Sequence, residues 1–179
     1  MKAGMGLTGE DVDSRPVVVR YREELRDAFE RLNREWIETY FTLEPADREL
    51  LGDPQRNILD PGGQVFFVLD QGEVQGTCAV LRHNAVECEI AKMAVARAAR
   101  GRGYGDLLME CSLAFAREIG SQRVVIVSNT VLAPAIRLYR KHGFVPVPLA
   151  ADGRYLRANI RLELELSPMA RASLPVGGG

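Results

Sequence analysis

The segment Ala99–Leu108, ARGRGYGDLL, limits what this chain can fold into more than any other stretch. It places Gly101, Gly103 and Gly105, with Arg100 and Arg102 among them, at the entrance to an amphipathic run. Inside a helix glycine costs up to about 1 kcal/mol against alanine, so these positions call for a bare backbone or for torsions other residues resist. The preceding run VECEIAKMAV reads as a strand, joined to the glycines through ARAAR. From Tyr104 to Ile119 the pattern is helical, with Leu107, Leu108, Cys111, Phe115 and Ile119 as the buried stripe and Gly120 as the stop. The first amides of a helix are unpaired and carry partial positive charge, so a strand, a glycine turn and a helix start form a cradle for an anion, typically phosphate. Arg100 and Arg102 add charge that suits phosphate oxygens. A solvated Gly/Arg turn is the bland alternative.

Two known cradles fail on spacing. A P-loop needs Gly-Lys-Ser/Thr, whereas Asp106 follows Gly105. A dinucleotide fingerprint needs a third glycine at the sixth position, which here is Asp106 or Leu108.

The rest of the chain reads as β-α-α-β-β-β-α-β-α-β-β. RPVVVRY is the first strand, and Leu25, Phe29, Leu32, Trp36 and Tyr40 form the stripe of the first helix. LEPADRELLGDP is a second short helix, and NILDPGG a turn. QVFFVLD and EVQGTCAVLRH flank the hairpin signal Gln71-Gly72, and with VECEIAKMAV they make a three-strand antiparallel meander. RVVIVSN has the continuous apolar character of a strand covered on both faces. LAPAIRLYRKHG is a helix with Pro134 in its first turn and Gly143 at its end. FVPV begins a strand, and RYLRANIRLELEL closes with Ile160, Leu162, Leu164 and Leu166 on one face. The fold class is α/β (α+β), with a mixed sheet. The 179 residues suit one domain over 16–167, with 1–15 a flexible lead-in and 168–179 a disordered tail.

A formal net charge of −1 gives no overall basic footprint for nucleic acid. No apolar run reaches membrane-spanning length. Cys78, Cys88 and Cys111 lack metal-ligand spacing; buried reduced thiols and a cytoplasmic location are the expectation, with no metal. His83 and His142, the only histidines, read as structural.

From Arg100 the chain spells R-x-x-G-x-G, which resembles the acyl-CoA pyrophosphate loop of the GNAT superfamily of N-acetyltransferases. Further on, SNTVLAPAIRLYRKHGF is similar to that family's N-x-x-x-x-x-A-x-x-L-Y-x-x-x-G-F pattern, with Asn129, Ala135, Leu138, Tyr139, Gly143 and Phe144 on its positions. The two segments in this order on strand-helix-strand-helix are strongly specific, and together they cover about residues 88–144. The resemblance implies a mostly antiparallel central sheet flanked by helices, with the central strand and the next strand splayed to admit the pantetheine arm.

The resemblance further implies acetyl-CoA as acetyl donor, held by Met93, Ala94 and Val95 of the central strand and by the turn Arg100, Gly101, Arg102, Gly103, Tyr104 and Gly105. The Met93 N–H would face the thioester oxygen and stabilise the developing oxyanion. Tyr139 would protonate the departing thiolate; without the motif it reads as a core tyrosine beside Ile136. Asn129 either bonds coenzyme A or caps the following helix. Glu89 matches the strand glutamate that acts as general base in the family's histone acetyltransferases; a water chain, or Glu87, is the alternative. By period two, Glu89, Ala91, Met93 and Val95 share one strand face. Trp36, Glu38, Tyr40 and Phe41 end the first long helix near the family's acceptor-binding loops, where core packing is the main expectation; Tyr155, Arg157 and Asn159 of RYLRAN would reach the acceptor from the last strands, and Arg157 would suit one bearing a carboxylate, such as an amino acid. The expected activity is N-acetylation of a small-molecule or peptide primary amine by direct attack in a ternary complex, the alternative being a non-catalytic acyl-CoA sensor. Neither nucleic acid nor membrane is an expected partner. A homodimer is an expected state, since family members often pair.

Overall fold

In the computed structural model, residues 15–149 and 153–166 are described. The expected lead-in and tail lie outside them, save Arg15. The described strands are β1 (Val17–Arg20), β2 (Gln64–Asp70), β3 (Glu73–Arg82), β4 (Glu87–Val95), β5 (Arg123–Ser128), β6 (Val145–Val147) and β7 (Ile160–Glu165). The helices are α1 (Arg26–Tyr40), α2 (Pro45–Gly52), α3 (Tyr104–Glu118) and α4 (Ala133–Lys141). The order of elements is the one read from the sequence. NILDPGG differs: a single π-helical turn, Gln55–Leu59, takes up part of what reads as a turn.

Local chemistry accounts for the element ends. Glu44 and Asp47 form a reciprocal capping box at the start of α2, with Pro45 in its first turn. Gln71 and Gly72 adopt φ of 52° and 81°, the two left-handed residues that a tight two-residue hairpin requires. Gly120 and Gly143, both at positive φ, stop α3 and α4.

The strands form one sheet in the order β1-β2-β3-β4-β5-β7-β6. All neighbours pair antiparallel except β4 and β5, which run parallel. One face carries α3 and α4 on a core that includes Phe66, Cys78, Ile90, Leu108, Tyr139 and Leu162. The other face carries α1 and α2 on a core that includes Phe29, Ile37, Leu50, Ile58, Phe67 and Leu81.

Two helix stripes are rotated from their expected settings. In α1 the buried face is Phe29, Leu32, Asn33 and Ile37; Trp36 is half-buried and Tyr40 is 50% exposed. In α3 the buried face runs through Tyr104, Leu108, Met109, Ser112, Leu113, Phe115 and Ala116, while Leu107, Cys111 and Ile119 sit at its margin. Helix α3 is apolar around more than half of its circumference, so packing against β2, β3 and β4 decides which side is inward.

Strand β4 departs from simple alternation. Its register against β3 slips between Thr77 and Ala79, and Lys92 takes a φ of 53°. Cys78 thus faces an extra residue on β4, a β-bulge at Lys92–Met93. Met93 and Val95 pack with Cys88 and Ile90 on the α3 side, whereas Ala91 packs on the α1 side. The expectation that Glu89, Ala91, Met93 and Val95 share a face is therefore wrong: the inserted residue reverses the parity of the strand beyond it.

Candidate active site

Beyond Glu89, ahead of the bulge, β4 and β5 separate. Their ladder consists of Glu87↔Arg123, Cys88↔Val124 and Glu89↔Val125, although β4 continues to Val95 and β5 to Ser128. β4 stays paired to β3 and β5 to β7 on their far sides, so the facing edges of β4 and β5 are both open beyond Glu89 and Val125. A cleft of about 220 Å³ occupies the gap. Arg100 of the glycine turn lines it past the end of β4, Trp36, Tyr40 and Phe41 line it at the end of α1, and Asn129 lines it after β5. Unpaired strand edge is backbone that an extended amide ligand can pair with.

The glycine turn lies at the end of β4. Gly101 and Gly103 adopt φ of 80° and 83°, and nothing lies within 4 Å of where a Cβ would be. Their requirement is conformational, since L side chains resist the left-handed region. Gly105 has a different reason: a Cβ there would come within 3.1 Å of Leu138 on α4. Gly103 is the N-cap of α3 and supplies no side chain to its first amides. Tyr104, also drawn into the expected cradle, is buried and donates to Asp70 Oδ2 at 2.5 Å; Arg102 pairs with the same carboxylate at 3.5 Å. Arg100 reaches back to the Val95 carbonyl at 3.4 Å and lines the cleft. Met93 lines it as well, while Ala94 and Val95 are laddered to Thr77 and Gly76 of β3. An open strand edge followed by left-handed glycines and an uncapped helix start suits a pantetheine chain ending in phosphates, so these residues fit coenzyme A.

Tyr139 and Glu89 line the cleft together. Tyr139 comes from α4, is 8% exposed, and packs edge-on against Phe144 at 6.5 Å. Burial holds its phenol well above the ordinary value, the Cys78 thiol adds to this, and a hydrogen bond with Ser128 opposes it. The hydroxyl is therefore a protonated donor across the working pH range. Glu89 has a side chain only 7% exposed, and its Oε2 lies 2.8 Å from His83 Nε2. His83 thus has a partner in the site that its place at a strand end did not suggest. Glu87 lies away from the cleft lining, near Arg123 and Arg161.

Asn129 does not cap α4, whose N-cap is Leu132. Its Oδ1 accepts from the Val131 N–H at 2.9 Å, and its Nδ2 donates to the Arg157 carbonyl at 2.6 Å. It ties the loop after β5 to the segment before β7 and lines the cleft. His142 bonds Asp106 at 2.8 Å, which fastens the end of α4 to the first turn of α3.

A buried ion cluster forms the wall at the aromatic end, and no spacing rule exposes it. Asp47, with no exposed side-chain surface, receives Lys92 Nζ at 2.5 Å and both terminal nitrogens of Arg157 at 2.6 and 2.7 Å. Glu44 accepts from Arg157 Nη1 at 3.2 Å and from the backbone N–H groups of Leu156 and Arg157. Lys92 also donates to the Tyr155 hydroxyl at 3.0 Å. The Tyr155 ring is flanked by Lys92 Nζ and Arg157 Cζ, 4.5 and 4.6 Å from its centroid. Burial alone would raise the Asp47 carboxyl, but the Arg157 hydrogen bonds and the Lys92 charge outweigh it and hold the group at about 2. The Lys92 ammonium is lowered by burial despite Asp47. Arg157, expected to meet an acceptor carboxylate, is already engaged in a two-pronged pair. A capping-box aspartate and a strand lysine gave no sequence sign of this arrangement, because the partners are 45 and 110 residues apart.

Comparison with known proteins places the family and the fold. The profile described as "Acetyltransferase (GNAT) family" matches residues 22–144. An uncharacterized N-acetyltransferase of Schizosaccharomyces pombe is 28% identical over 123 residues, which cover 66% of this chain and 75% of that protein. The fold matches an acetyltransferase of the GNAT family from Staphylococcus aureus at a TM-score of 0.78 and 15% identity, covering 86% of this chain and 100% of that one. It matches an acetyltransferase of Salmonella typhimurium, solved with acetyl-CoA, at 0.67 and 18%, covering 87% and 96%. The splayed strands, the glycine turn and the tyrosine of α4 sit within a profile match that spans most of the described fold, and the chain belongs to the GNAT family of acetyltransferases, whose members take their acetyl group from acetyl-CoA.

Proposed function

We propose that the chain transfers the acetyl group directly to a primary amine, donor and acceptor being held together in the β4–β5 cleft. The observation that carries this reading is that Glu89 and Tyr139, from different elements, line one cleft with Met93 between β4 and β5. Backbone groups of Met93 and Val95 hold the pantetheine amides, and amides from Arg100 to Gly105 hold the pyrophosphate, with Arg100 and Arg102 adding charge. Glu89 takes one proton from the acceptor ammonium, which frees the nitrogen lone pair to form the new C–N bond. The Met93 N–H meets the oxyanion that develops on the carbonyl. As the C–S bond breaks, Tyr139 donates its proton to the sulfur and regains one from the acylated nitrogen. The products are the acetamide, free coenzyme A and one proton left on Glu89, which His83 can carry towards solvent. Glu89 and Tyr139 are the catalytic residues of this reading, and no covalent acyl-cysteine is needed. Burial raises Cys78 to about 12 and raises Cys88 and Cys111, so none is poised as a thiolate.

The test is calorimetric binding of acetyl-CoA, followed by release of free thiol across a panel of amines. Amine-dependent release that falls at least about 100-fold in kcat for Tyr139→Phe, with acetyl-CoA affinity retained, supports the proposal. Glu89→Gln should lower kcat with acetyl-CoA affinity retained. Binding without release for any amine sinks the transferase reading and leaves a sensor.

A further inference from the structure

Resting on the proposed function, the geometry points to an acceptor class: we infer that this cleft takes an aromatic primary amine with no carboxylate beside the nitrogen. Three observations converge.

The cations at the acceptor end are already neutralised. Arg157 is spent on Asp47 and Glu44, and Lys92 on Asp47, within a cluster whose side chains are 15% exposed or less. Asp47 cannot release Arg157 to a substrate carboxylate without leaving a buried carboxylate short of its main partner, which is costly. The remaining cation of the cleft lining among the described residues is Arg100, which belongs to the glycine turn at the other end.

The carboxylate of the lining, Glu89, has the His83 ring as partner rather than a lysine or arginine. It offers a negative charge to an incoming ammonium and repels an incoming carboxylate. An amino acid would place its carboxylate two bonds from the reacting nitrogen, hence beside Glu89.

The surface beyond the reacting position is aromatic. Trp36, Tyr40 and Phe41 line the cleft at the end of α1. Phe41 meets Trp36 at right angles, with centroids 6.5 Å apart, and Tyr40 at 6.2 Å. Tyr40 is half exposed at the rim, so its ring has surface available to a ligand. Aromatic walls of this kind bind a flat apolar group edge-on or offset.

The experiment compares phenethylamine, phenylalanine and butylamine as acceptors for the wild-type protein, with thiol release as the readout. The first two differ by the carboxylate, and the first and third chiefly by the ring. The expected result is a kcat/KM for phenethylamine about ten-fold or more above both others. Tyr40→Ala should raise KM for phenethylamine more than for butylamine, with kcat less affected, a split that loss of fold does not produce. Phenylalanine used equally well or better overturns the inference, as does butylamine equal to phenethylamine. Release with none of the three overturns it too. Acetyl-CoA binding, and release with other amines on the same preparation, show whether the proposed transfer reaction falls with it or stands alone.

Discussion

The two ends of the cleft are built on opposite principles. The glycine-turn end is made from backbone: an open strand edge, two left-handed glycines and an uncapped helix start, with side chains contributing little to its shape. The aromatic end is made from side chains: Asp47, Lys92, Arg157 and Tyr155 lock α2, the β4 bulge and the segment before β7 into one wall. Backbone sites bind what every member of a protein family shares, because the peptide unit is the same in all of them. Side-chain walls can be rebuilt, and in the proposed reading the acceptor meets that wall.

Substitution can break this contrast at either end. The largest effect on stability should come from Asp47→Asn, which leaves two buried cations facing a neutral amide. Loss of one partner from such a cluster costs about 3–5 kcal/mol. Urea unfolding should register it, and Lys92→Met should cost clearly less, since Arg157 still neutralises Asp47. A larger loss for Lys92→Met would mean that Asp47 is not the hub.

The same residue sets a pH signature. Asp47 is held at about 2 in the fold against 3.8 for its ordinary value. A depressed carboxyl contributes stability that is complete above its unfolded value and is lost as pH falls through the folded one. Wild-type stability should therefore decline between about pH 4 and 2 more steeply than that of Asp47→Asn, as read from urea midpoints at each pH. Parallel slopes would rule Asp47 out as the source.

At the backbone end, Gly103→Ala and Gly101→Ala should each cost about 1–2 kcal/mol, from left-handed strain alone, because the space is open. Both should weaken acetyl-CoA binding in calorimetry. The smallest effect belongs to Gly105→Ala. Its Cβ meets only the end of the Leu138 side chain, and alanine favours the helix, so its stability should stay within about 1 kcal/mol of wild type. Gly105→Ala costing more than Gly103→Ala would reverse the assignment of roles.

The parts of the site that were legible before the structure are those set by short-range rules. Gly101 and Gly103 announce torsions, and Tyr139 and Asn129 stand at fixed distances from Gly143 and Phe144 on one strand-helix unit. The rotated stripe of α3 was not legible, because a helix rich in apolar residues offers several inward faces and the sheet chooses one. The helix-cap alternative for Asn129 failed because α4 begins only after Leu132: the Asn129 oxygen accepts from the Val131 N–H, and its NH2 group donates to the Arg157 carbonyl, 28 residues away.

By itself, then, the sequence determined the order of elements, the hairpin at Gln71-Gly72 and the glycine turn, since periodicity and φ preference act within a few residues. Tertiary structure alone decided that Lys92 bulges from β4 and flips Met93 and Val95 to the other face. It alone decided that Arg157 answers to Asp47 rather than to a ligand, and that His83 meets Glu89. Each of these depends on register or on charges brought together from distant segments, and burial is what makes such contacts strong enough to dictate the site.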